Sequence, residues 1–175
     1  MPNNEKLNVL NDENNEGTNP NQPESIWAPG IPQNIDKNEV LGQDQIQAMA
    51  IEFIVKKVLL PKGFMIEMGF PRKDFPNIIC RRDNVVYSIV VFPSVYPNFA
   101  YPSDEFRLKI MEIAKQTNST ALFAPVGYSS VDEARAKASL MLKGDVFKTS
   151  FPGFKYLTHA AHEDPKIVLD ELFRP

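Results

Sequence analysis

The sequence predicts a single α/β domain in which a mixed central β-sheet is flanked by helices. Three stretches carry the prediction. "GQDQIQAMAIEFIVKKVLLPKGF" (42–64) repeats apolar residues at helical spacing, and "NIICRR" and "VVYSIVVF" are β-branched runs on either side of Asp83-Asn84. "TALFAPVGY" (120–128) is apolar without alternation, the pattern of a strand buried on both faces beside a parallel neighbour.

Residues 1–40 form the first segment, a disordered acidic tail. They are rich in Asn, Glu, Pro and Gly and lack apolar periodicity, so they bury too little surface to offset the entropy of ordering. Within them "SIWAPGIP" (25–32) is apolar enough to dock, on its own domain or on a partner through Trp27. Residues 41–175 then form the domain. In its first helix Ile46, Met49, Ala50, Phe53, Ile54 and the stem of Lys57 share a face; Asp44 stands near the start, and Pro61 and Gly63 stop it.

"FMIEMGF" (64–70) alternates as a strand, and the two β-branched runs make a hairpin, because Asp and Asn tolerate the positive φ of a two-residue turn. "PSVYPNFAYPS" (93–103) is an irregular connection stiffened by three prolines. Ser103, followed by Asp104 and Glu105, caps a helix with Phe106, Ile110, Ile113 and Ala114 on one face. After the strand at 120–128, a helix is expected from Ser130 to about 142, with Asp132 and Glu133 in its first turn and Gly144 beyond its end. "DVFKTSFPGFKYL" (145–157) reads as a last strand or extended arm, and "PKIVLDELF" as a short terminal helix. The order is α-β-β-β-α-β-α-β-α.

Composition narrows the class. The chain is 43% apolar and 23% charged over 175 residues, ordinary for a soluble domain with a proper core. No apolar run approaches the roughly 18 residues of a membrane span, and the start has no basic segment leading into an apolar one, so a cytoplasmic address is expected. The net charge of −3 is uneven: residues 1–40 hold seven acidic side chains against two lysines, leaving +2 for the remainder. That falls short of the clustered basic footprint of a nucleic-acid binder. Cys80 is the only cysteine and sits in an apolar run, as a small core residue does.

The element order, with Glu52 eleven residues ahead of Gly63-Phe64, Pro76-Asn77 opening the second strand and Val90-Val91-Phe92 closing the third, resembles the PD-(D/E)xK nucleases, the restriction-endonuclease-like superfamily that includes Holliday-junction resolvases. The resemblance covers about residues 43–128. It implies a restriction-endonuclease-like core and, in active members, an Asp and a Glu that hold Mg²⁺ beside a Lys that positions the attacking water. In this chain those positions read Asn77, Val90 and Phe92, with Glu52 the one possible remnant. Neither strand supplies a carboxylate, so no metal or cofactor is expected, and the resemblance implies a degenerate domain that acts as a binding or assembly module.

Two alternatives stay open. Asp74, Asp83 and Glu67 could form a displaced metal site near Glu52, with Lys109 or Arg107 for the lost lysine; or the domain is an unrelated small α/β interaction protein. Arg72, Lys73, Arg81 and Arg82 cluster around the second strand as candidate nucleic-acid contacts, and Trp27, Tyr96, Phe99 and Tyr101 are candidates for a protein partner. His159 and His162, beside Glu163 and Asp164, have a spacing that could seat a metal, without a third ligand in view.

Overall fold

The computed structural model describes residues 35–73, 75–98 and 101–157. The readings placed on residues 1–34 with Trp27, on Asp74, on Phe99, on His159 and His162, and on the terminal helix lie outside them. The described chain is a mixed α/β domain with one six-stranded sheet in the order β1-β2-β3-β4-β5, with β6 paired to β4. No helix among the described residues is long and apolar enough to cross a membrane.

Helix α1 (Gln43–Phe53) starts at Gly42, whose N–H donates to Gln45 Oε1 at 2.9 Å. It runs on as a π-helical segment, Ile54–Leu59, and a 3₁₀ turn, Leu60–Lys62, that Gly63 ends at φ 77°. The wider turn resets the buried face. Ile46, Ala50 and Ile54 follow at α spacing, but the next buried residue is Leu59, five further on, while Lys57 is exposed. The expectation that the stem of Lys57 continues the buried face is therefore corrected.

Strands β1 (Met65–Gly69), β2 (Ile78–Arg82) and β3 (Val85–Val95) form an antiparallel meander. Asp83 and Asn84 turn its second hairpin at φ 50° and 64°. β3 runs three residues further than its apolar run suggests, through Pro93 to Val95, because it is paired in parallel with β4 (Thr120–Ser130) along its length, from Tyr87 opposite Thr120 to Val95 opposite Tyr128. Helix α2 (Asp104–Gln116) makes the crossover between them, and Ser103 Oγ accepts from the N–H of Phe106.

Parallel pairing buries both faces of β3 and β4. Tyr87, Ile89 and Val91 with Leu122, Ala124 and Val126 face α1 in the main core, whereas Val90 and Phe123 join Ile110 of α2 on the other face. The layers are helix, sheet, helix.

The helix expected from Ser130 to about 142 is shorter. α3 spans Glu133–Lys137, is capped by Asp132 rather than Ser130, and ends where Ser139 takes φ 53°. Leu140, Met141 and Leu142 are all buried, and three successive apolar residues cannot all face inward from a helix that lies on a surface. Leu142 instead bridges to Val40. Ile35 and Val40 pack against Leu140 and Leu142, so residues 35–40, read as part of the tail, belong with the domain. The last extended segment is two pieces on one side of β4: β5 (Phe147–Ser150) pairs with its end and β6 (Lys155–Tyr156) with its start. Between them Phe154 leaves the strand line and is buried in the α1-side core, its ring against Phe151 at 5.1 Å.

Candidate functional site

Asn77 stands just before β2 and is 3% exposed, a depth at which each polar atom needs a partner. All of its groups have one. Its N–H donates to Ile89 O at 2.9 Å, its C=O accepts from Phe70 N–H, its Oδ1 accepts from Val91 N–H at 2.9 Å, and its Nδ2 donates to Arg72 O at 3.3 Å. The reason lies in the register. The β2–β3 ladder ends at Ile78 opposite Ile89, so β3 beyond Ile89 has no strand on that side. Side chains finish the pairing: Asn77 takes the N–H of Val91, and Gln47 of α1 donates to its C=O at 2.8 Å. The next nitrogen on that edge belongs to Pro93, which has no hydrogen to satisfy.

Val90 and Phe92 point to the opposite face. Val90 is 2% exposed among Ile110, Phe123 and Leu157, and the half-buried Phe92 meets Phe123 edge-on at 6.0 Å. Glu52 is not brought to them. It is exposed on α1, paired with Lys56 at 2.5 Å, and that ammonium lowers its pKa. The other carboxylates are also dispersed: Glu67 is bound to Arg81 at 3.0 Å, and Asp83 lies in the turn at the far end of the hairpin. No group of three or more His, Cys, Asp or Glu side chains among the described residues could hold a metal ion.

The basic residues near β2 are engaged within the domain. Arg72 lies over the Phe75 ring at 4.5 Å, Arg81 takes Glu67 through two nitrogens, and Arg82 lies over Phe64 at 5.5 Å and pairs with Asp83 at 3.3 Å. Arg81 and Arg82 are adjacent in one strand and face opposite sides of the sheet. Lys73 is exposed. Lys109 lies over Phe75 at 5.8 Å, and Arg107 pairs with Asp104 at 2.6 Å while its Nε is buried without an acceptor. Cys80 is fully buried, and desolvation, followed by the charge of Glu67, pushes its thiol up to about 12, far from a nucleophile's range.

The open feature lies further along the face that carries Val90 and Phe92. A crevice of about 380 Å³ sits at the carboxyl ends of β3 and β4, where the edge strand breaks between β5 and β6. Pro125 forms its floor. Leu157 N–H donates to Ala121 O on one side of β4 and Tyr96 N–H to Tyr128 O on the other, so alternation turns the Pro125 nitrogen toward the break, where a donor would have no partner. Tyr96 and Tyr101 form one wall, 51% and 65% exposed, and Lys148 and Lys155 belong to the other. Tyr96 is held in place: its N–H is bonded to β4, and its C=O accepts from Ser139 Oγ at 3.0 Å. The Tyr101 ring rests on Phe123 at 6.4 Å.

The tyrosines were legible in the sequence and the lysines were not. Their one signal is the Pro-Gly interruption in "FKTSFPGFK", which sets a lysine on each side of a broken strand. A second groove, of about 660 Å³, runs between α2 and β6, but Glu112 and Lys115 both line it and no single charge sign converges there.

The fold and these features define a mixed α/β domain with a closed strand-end locus and an open crevice beside it. Residues 44–157 match the model of a family described as a domain of unknown function, DUF8840, and the chain belongs to that family. No curated protein matches the chain.

Proposed function

We propose that the domain is a nuclease-like shell that binds rather than cuts, similar in core to the PD-(D/E)xK nucleases. Its support is the order α1-β1-β2-β3-α2-β4 with β3 and β4 parallel, an order that the resemblance expects alongside the residue spacing that carries it. One observation carries the loss of chemistry. The positions where that family keeps its carboxylates and lysine are built into the fabric of this domain: Asn77 completes the β3 edge, Val90 is core, and Phe92 meets Phe123 edge-on. Carboxylates at these positions would displace the Asn77 clamp and the Val90 and Phe92 packing. The displaced-site alternative gains nothing from Glu52, Glu67 and Asp83, which are separated and paired to cations of their own. On that face the crevice between Tyr96, Tyr101, Lys148 and Lys155 is open to a partner.

The test is a Mg²⁺ and Mn²⁺ titration with cleavage assays on supercoiled, linear and branched DNA, run beside Glu52→Ala. The expected outcome is no metal-dependent cleavage by either protein. Cleavage that Glu52→Ala abolishes would show a working displaced site and overturn the reading.

A further inference from the structure

We infer that the crevice at the carboxyl ends of β3 and β4 is a binding site for a nucleoside phosphate, with the ring against Tyr96 and Tyr101 and the phosphate held by Lys148 and Lys155. The inference rests on the reading of the domain as a binding module and names its ligand. Position is the first argument: in open α/β sheets ligands gather toward the carboxyl ends of the parallel strands, and β3 and β4, the parallel pair among the described strands, bring Ser94 and Ser129 from those ends into the crevice.

Size is the second. About 380 Å³ lies at the small end of the roughly 300–1,000 Å³ typical of small-molecule sites, so it admits one nucleotide-sized molecule and excludes a duplex.

Charge is the third. Among the described residues no carboxylate lines the crevice, and neither Lys148 nor Lys155 has a side-chain partner. Two like charges in a concave apolar-walled space focus a positive potential on whatever enters. The rings are the fourth argument. Two tyrosines standing half or more in solvent offer large apolar surfaces that no other described residue covers, and a nucleobase stacks on such a face whatever its identity. Ser94 and Ser129 belong to the same lining and could serve a ribose.

Isothermal titration calorimetry on the full chain decides it, with the four common nucleoside 5′-monophosphates, their parent nucleosides, inorganic phosphate and a 5′-phosphorylated single-stranded oligonucleotide as probes. The expected result is saturable binding of at least one monophosphate, tighter than its nucleoside or phosphate alone and weakened by salt. Lys148→Ala and Tyr101→Ala should each raise its Kd about tenfold, the loss expected of one charge-assisted hydrogen bond or one stacked ring. Both residues are exposed, so the fold survives their replacement. Absence of monophosphate binding, binding indifferent to both substitutions, phosphate binding as well as the nucleotide, or clearly tighter binding of the oligonucleotide would each overturn the assignment. None of these touches the cleavage assay, so failure of this site is separable from failure of the non-catalytic reading.

Discussion

Asn77 does the work of a missing strand. Its carboxamide supplies an acceptor to β3 and a donor to the loop before β2, and both groups are sealed from water. An aspartate could offer the acceptor but not the donor, and its charge would be buried without a cation. Replacing Asn77 by alanine leaves the Val91 N–H without an acceptor in the interior, and a buried unsatisfied donor costs about 1–3 kcal/mol. The Asn77→Ala variant is therefore expected to lose about 2 kcal/mol in urea denaturation, with an unchanged m-value because the folded state stays as compact. A loss below about 0.5 kcal/mol would mean that water reaches Val91. From sequence alone, Asn77 was visible as the residue that opens the second strand but not as a backbone clamp, because the clamp depends on β2 beginning one residue too late to pair with β3 beyond Ile89.

At the scale of elements, local chemistry was legible wherever it decides the conformation. Asp83 and Asn84 sit in the left-handed region that a two-residue hairpin requires, and both residue types tolerate it. Glycine tolerates it better, so Asn84→Gly is expected to raise the midpoint of thermal unfolding, by up to about 1 kcal/mol in stability, and a lowered midpoint would show that the Asn84 side chain holds the turn in another way. The Ser103 cap of α2 was readable for the same reason. Elements decided by distant contacts were not readable. α3 stops early because Leu140, Met141 and Leu142 each have a place to be buried, and the break between β5 and β6 follows from the pull of Phe154 into the core. The π-helical segment after α1 changes a helical period that the sequence can only present as continuous.

At the scale of the whole molecule, the sheet joins what the chain separates: the crevice gathers residues from 94 to 155, and no window of sequence contains it. The same sheet makes the closed locus hard to reopen. Consider Asn77→Asp, Val90→Glu and Phe92→Lys together, the set that would install the carboxylate and lysine pattern of the nucleases. Glu at position 90 would lie among Ile110, Phe123 and Leu157, and even paired with Lys at position 92 on the same face the two charges carry a desolvation penalty of several kcal/mol, about 3–5 kcal/mol where the pairing is imperfect. A single domain has only about 5–15 kcal/mol in all. Bound Mg²⁺ offsets the cost only in so far as it binds the folded form, by about 2.7 kcal/mol at a hundredfold excess over its Kd. The triple variant is thus expected to unfold at much lower urea than the parent, and excess Mg²⁺ should recover at most part of the difference. Urea titrations with and without Mg²⁺ measure both quantities. If Mg²⁺ restored the parental midpoint and DNA were then cut, the locus would be an active site three substitutions from function, and its packing would be incidental.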